Sequence, residues 1–353
     1  MNTINSKMVV LAREARGYSQ SELARIIGIG QSYLSKIEKG MVLPTEEIID
    51  SISHKLDYPV TFFEQDEDIL TPELLYYRRR SSINKKPLLK AEAIMNIYRM
   101  SIEKLLSSVE LPESNLPDWD VDEHGTPEEA AIMIRQRWGI PKGRIENLIK
   151  ILESKGIIVV LFDFRTERMD GLSMYSEQND PIIFINNKIP GDRQRLTIAH
   201  ELGHLVLHFG KIIGIVRNVE VEAMRFAAEL LVPRKEFINS AEGFDLQSLA
   251  NQKRYWLVSM GSLLYRGKEL NLITDNQYRY VWQQMAMLGY KKNEPAEIAV
   301  MKEKPTLLKE VIELHMNELQ YTKQEIAEML KISLNDLQEY FYADNLKLRI
   351  IKT

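Results

Sequence analysis

The stretch Thr197-Ile198-Ala199-His200-Glu201-Leu202-Gly203-His204-Leu205-Val206-Leu207-His208 decides how the rest of the chain is read. As a helix it puts His200 and His204 one turn apart on one face, with Glu201 about 100° round from His200. Two imidazoles so placed can grip one divalent ion, and the neighbouring carboxylate can take a proton from water held there. Three of the six histidines fall within the nine residues from His200 to His208, which points to a built site rather than scattered core histidines. His208 extends the same face by another turn, beyond comfortable reach of such an ion, and reads as a capping or supporting group.

A catalytic zinc normally takes three protein ligands and keeps one position for water. A histidine at 210 would supply the third, but Gly210 stands there. The ligand is therefore expected as a carboxylate from a later helix. Val219-Glu220-Val221-Glu222-Ala223-Met224-Arg225-Phe226-Ala227-Ala228-Glu229-Leu230-Leu231-Val232-Pro233 is such a helix. Ala223, Ala227 and Leu230 form a stripe suited to close packing on another helix, and Glu220 and Glu222 both lie near its start.

Before this pair the chain shows helices and then a small sheet. Thr126-Pro127-Glu128-Glu129 is a helix start with an N-cap threonine, a first-turn proline and a glutamate three residues on. Ile145 to Lys155 reads as a further helix, Ile157 to Phe164 as a buried strand, and Pro181 to Asn186 as another. This order suits zinc peptidases, whose edge strand can pair with an extended substrate.

The first sixty residues are short helices with tight punctuation. Met8, Val9, Leu11 and Ala12 mark the first. Ser19 and Glu22 form a capping box for a second, Gln20 to Ile27, and Gly28 ends it. A third follows from Gln31 to Lys39 with Leu34 and Ile37 inward, completing a helix-turn-helix. Its outward residues are Gln31, Ser32, Tyr33, Ser35, Lys36 and Lys39. Glutamine and serine suit base edges in a major groove, the lysines suit phosphates, and Gln20 would face the duplex backbone.

With 44% hydrophobic and 27% charged residues over 353 positions, the composition is that of an ordinary globular chain with room for two or three domains. A net charge of −4 gives no global basic field, so any DNA contact must be local. Cysteine is absent, which removes disulfides and cysteine zinc ribbons. No run of about 18 apolar residues occurs, and the first residues lack the apolar core of a secretion signal, so a cytoplasmic location away from membranes is expected.

The connecting region holds a basic, aromatic run, Tyr76-Tyr77-Arg78-Arg79-Arg80-Ser81-Ser82, and an amphipathic helix from Leu88 to Val109. Near the end, Thr322-Lys323-Gln324-Glu325 caps another helical pair shaped like a helix-turn-helix. Its second helix carries Asp336 and Glu339, which repel phosphate, so a structural or protein-binding role is favoured there.

Residues 7–65 closely resemble the XRE family of repressor-like DNA-binding domains, and Gly30 departs from it where a polar cap is common. His-Glu-Leu-Gly-His followed by Glu-Ala-Met-Arg-Phe-Ala-Ala-Glu-Leu-Leu-Val-Pro resembles the ImmA/IrrE family of zincin-like metallopeptidases. Met224 departs from that family's usual asparagine or aspartate. The resemblance implies an α+β, mostly helical chain: a five-helix repressor-like domain at residues 1–66, a linker and helix at 67–125, a metallopeptidase domain with a small sheet at 126–292, and a helical segment at 293–353. It implies one Zn²⁺ per chain on His200, His204 and Glu222, with Glu201 as the catalytic base, while Tyr175 and His208 are candidates for the oxyanion partner. The implied partners are double-stranded DNA, a second copy of the chain, and a protein substrate of the XRE repressor type. The implied function is a regulator with an endopeptidase that cuts a repressor, or itself, in a stress or mobile-element response. The alternative is a non-proteolytic transcription factor whose zincin-like domain senses a ligand or metal.

Overall fold

The computed structural model describes residues 3–70, 85–164, 169–211 and 217–342. The basic, aromatic run at 76–82 lies outside them. The N-terminal part contains α1 (Ser6–Ala15), α2 (Gln20–Ile26), α3 (Gln31–Glu38) and α4 (Glu46–Leu56), and where a fifth helix was expected stands a single 3-10 turn at Val60–Phe62. Ser19 and Glu22 cap α2 reciprocally, and Met8, Val9, Leu11 and Ala12 are buried as their spacing requires.

A long helix α5 (Lys85–Leu106) follows, then α6 (Val121–His124), α7 (Pro127–Arg137) and α8 (Leu148–Glu153). Thr126 and Glu129 form the expected capping box of α7. Three strands come next: β1 (Ile158–Phe162), β2 (Gly171–Tyr175) and β3 (Pro181–Asn186). β3 is central, parallel to β1 and antiparallel to β2, with Ser173 opposite Ile183.

The sheet is a wall between two cores, and strand alternation assigns residues to each side. Ile158, Val160, Ile182 and Phe184 face a core shared with α1 to α5. Val159, Ile183 and Ile185 face a core built by α7, α8 and the helices that follow the sheet. The latter are α9 (Gly191–Leu207), α10 (Val219–Leu231), α11 (Arg234–Ser240), α12 (Leu246–Trp256), α13 (Met260–Glu269) and α14 (Asp275–Met287). α5 is more deeply buried than an amphipathic surface helix, because it packs on α1, on the sheet side and on the C-terminal helices at once.

Those last helices are α15 (Leu307–Asn317), α16 (Lys323–Leu330) and α17 (Leu334–Phe341). Asp336 does not meet solvent as a repelling charge. It is buried and takes both terminal nitrogens of Arg16, at 2.6 and 2.7 Å, while Arg16 stacks over Tyr58 at 4.2 Å. The C-terminal pair is thus fastened to the N-terminal helices, and Asn335 adds a bond to Asp57 at 3.1 Å.

Candidate metal centre and DNA-reading face

α9 runs between the sheet and α10, and two glycines let its neighbours come close. A Cβ on Gly203 would lie 3.1 Å from the Ala223 Cα and from the Phe226 ring, so the bare position lets α10 press against α9. A Cβ on Gly171 would lie 2.6 Å from the Thr197 methyl and 3.2 Å from the Glu201 Cγ, so β2 approaches from the other side.

This packing gathers the site. His200 Nε2 and His204 Nε2 stand 3.1 Å apart. Glu220, in the first turn of α10, brings one carboxylate oxygen to 3.5 Å from His200 and the other to 3.6 Å from His204. Neighbouring donors on a tetrahedral ion, with bonds of about 2.0 Å, stand about 3.3 Å apart, so this donor set fits a divalent cation. The three residues form a group able to hold a metal.

Glu222, the carboxylate expected here from sequence, is elsewhere. It lies two positions on from Glu220, about 200° round the helix, so the two side chains leave α10 on different sides. Its Oε2 accepts from Arg217 at 2.7 Å and faces His208 Nε2 at 3.0 Å. Burial alone would raise the Glu222 carboxyl, but the bonds from Arg217 and His208 outweigh it and hold the group below its ordinary range.

Glu201 is buried, and Ser173 Oγ donates to its Oε2 at 2.8 Å. Burial pushes this carboxyl up to about 7, against the opposing pull of His200 and of the Ser173 hydroxyl. Burial pushes His204 down to about 3, with His200 and His208 adding to it, so its ring is neutral at ordinary pH. The His200 Nδ1 is buried with no hydrogen-bond partner among the described residues.

Of the oxyanion candidates, His208 is fully buried behind His204, which removes it from any bound substrate. Tyr175 ends β2 with its ring packed on Phe209 at 4.2 Å between centroids. Ser173 and Arg217 went unread in the sequence. A serine in a short strand and an arginine before a helix carry no pattern of their own.

Beside the cluster opens a cavity of about 830 Å³ lined by His200, Glu220, Leu196, Met224, Tyr265 and Trp282, among others. It is large enough for several side chains of an extended peptide. β2 lies at an edge of the sheet.

The second candidate surface is α3. Gln31, Ser32, Lys36 and Lys39 are exposed, and Tyr33 and Ser35 half-buried, while Leu34, Ile37 and Glu38 point inward. A polar chain ties this face down from beneath. Arg13 donates to Glu38 at 2.6 and 3.1 Å, Gln20 donates to Glu38 at 2.7 Å, and Gln31 donates to Gln20 at 3.0 Å. Gln20 and Gln31 are thereby oriented as a pair at the start of the outward helix. No described helix is long and apolar enough to cross a membrane.

Comparison with known proteins finds one family match in each of the two regions that carry these surfaces. Residues 11–63 match the Helix-turn-helix family, and residues 152–268 match the IrrE N-terminal-like domain of the M78 peptidases. No curated protein matches the chain. The chain is a fusion of a helix-turn-helix DNA-binding domain of the XRE type with an ImmA/IrrE-like peptidase domain.

Proposed function

We propose that this chain is a cytoplasmic DNA-binding transcriptional regulator whose second domain is a zinc-dependent endopeptidase. Its substrate is a protein, of the XRE repressor type or the chain itself, cut in a stress or mobile-element response. The observation that carries this reading is the convergence of His200 Nε2, His204 Nε2 and the Glu220 carboxylate within 4.8 Å of one another, with Glu201 alongside and an open cavity beside them.

His200, His204 and Glu220 would hold one Zn²⁺. When bound, such an ion polarises a peptide carbonyl and lowers the pKa of water toward about 7. The work of this chain is then proton transfer and positioning. Glu201 accepts a proton from the attacking water on its carboxylate and returns it to the leaving peptide nitrogen. Ser173, bonded to Oε2 of Glu201, fixes the rotation of that carboxylate. The β2 edge offers backbone groups to an extended peptide, and the cavity takes its side chains. In the first domain Gln31 and Ser32 would meet base edges and Lys36 and Lys39 phosphates, with two protomers on two half-sites.

The deep burial of Glu201 favours a second reading, in which the peptidase-like domain senses a metal or ligand and cuts nothing. One experiment separates the two. Zinc-loaded protein is incubated with repressor-type proteins, beside the Glu201→Gln variant. Cleavage by the wild type that is lost in the variant supports the peptidase. Equal products from both, or none from either, favour the sensor.

A further inference from the structure

Behind the imidazole pair runs a line of polar groups that the reaction above does not use. His204 Nδ1 faces His208 Nδ1 at 3.0 Å, and His208 Nε2 faces Glu222 Oε2 at 3.0 Å. Arg217 closes the line, donating to both Glu222 oxygens at 3.1 and 2.7 Å and to Asp122 at 3.1 Å. His208 is fully buried and Glu222 nearly so.

The directions of these bonds are forced from one end. A carboxylate paired with arginine only accepts, so His208 Nε2 must carry a proton. A neutral His208 then has a bare Nδ1, which accepts. His204 Nδ1 must therefore donate, and a neutral His204 is left with a bare Nε2. That bare nitrogen is the one that faces His200 and Glu220. Of the two neutral forms of imidazole, the line selects the one that presents a lone pair to the cluster.

We propose that Glu222 and His208 are positioning residues that hold His204 in the ring form able to ligate a metal. This rests on the reading of His200, His204 and Glu220 as a metal centre. Glu222 thus has a role without touching the ion: it acts at two removes, through His208.

The test uses the full-length chain with ¹⁵N-labelled histidine, first without metal. The six histidines give a tractable spectrum, and His204 is assigned by loss of its signals in His204→Gln. The expected result is a His204 ring protonated at Nδ1 and bare at Nε2, and a ring protonated at Nε2 would overturn the proposal. Zinc affinity is then measured by chelator competition in wild type, Glu222→Ala and His208→Phe, with circular dichroism as the check on folding. A loss of about 10–100-fold in either folded variant is expected. Wild-type affinity in both, with the wild type binding one zinc, would overturn the positioning role while leaving the metal centre intact. A wild type that takes up no zinc would overturn the metal centre and this proposal with it. Should His208→Phe fail to fold, Glu222→Ala and the wild-type spectrum still decide.

Discussion

The two halves of this molecule keep their chemistry on opposite sides of their helices. On α3 the residues with recognition chemistry point to solvent, and the apolar ones merely seat the helix. On α9 the chemistry points inward: His204, Glu201 and His208 are all buried, and each is bonded to a residue from the site or its surroundings. An outward face can be read from helical periodicity, because most of its side chains are exposed and its bonds, such as Gln31 to Gln20, stay within the same helix pair. An inward site is defined by what packs against it, and that comes from elsewhere in the chain.

The largest expected effect falls on the inward site. Glu201→Gln should lower cleavage by about 10²–10⁴-fold while zinc binding persists, as read by product formation and metal content. A variant that cuts as fast as wild type would remove Glu201 from the chemistry. Next, Glu220→Ala should lose more zinc affinity than Glu222→Ala, by upward of about 100-fold against wild type. The reverse order in chelator competition would restore Glu222 as ligand.

The bond between the N-terminal helices and the C-terminal helical pair comes third. Arg16→Met leaves Asp336 buried without its partner, which costs about 3–5 kcal/mol in chemical denaturation. Adding Asp336→Leu should recover much of the loss. If the single variant is as stable as wild type, the C-terminal pair is not fastened through this bond.

On the outward face the steps are smaller. Gln31→Ala should cost about 1–3 kcal/mol of preference for the specific site, and Lys39→Ala should lower the salt slope of binding by about one. Equal affinity for specific and random DNA in the wild type would count against base reading by α3.

The smallest effect is in pH. In metal-free protein Glu201, raised from 4.5 to about 7, holds a proton that the unfolded chain releases, so its contribution is full at low pH and is lost as pH rises to about 7. His204, lowered from 6.5 to about 3, refuses a proton that the unfolded chain accepts, so its contribution is full above 6.5 and is lost as pH falls toward 3. The two contributions oppose each other between 4.5 and 6.5 and largely cancel there. In Glu201→Gln that opposition is removed, while His204, and His208 which burial also lowers, still lose their contributions as pH falls, so denaturation midpoints should fall more steeply below pH 6.5 than in the wild type. A wild type and a variant with the same pH profile would show that the two groups do not titrate in this way.

What the sequence made legible follows the same divide. The capping boxes at Ser19, Thr126 and Thr322 are local bonds between residues three apart, and each is present in the fold. The apolar run of β3 fixed its ends because both faces are buried. β2 was missed: Gly171-Leu172-Ser173-Met174-Tyr175 is short, and Ser173 is buried by its bond to Glu201 rather than by apolar character. The pairing of His200 with His204 was legible because both lie on one helix. The carboxylate that joins them was not, since Glu220 and Glu222 differ only in which side of α10 meets α9. For the same reason Asp336 looked like a charge facing solvent until Arg16, 320 residues away, came to meet it.

The central claim is that Glu220 completes a metal centre with His200 and His204. Crystals of the full chain grown with zinc, measured at the zinc absorption edge, test it most directly. Ligation by Glu220 predicts one anomalous peak per chain within bonding distance of both Nε2 atoms and a Glu220 oxygen, with Glu222 still on His208 and Arg217. A peak bound by Glu222, or none between the imidazoles, would contradict it.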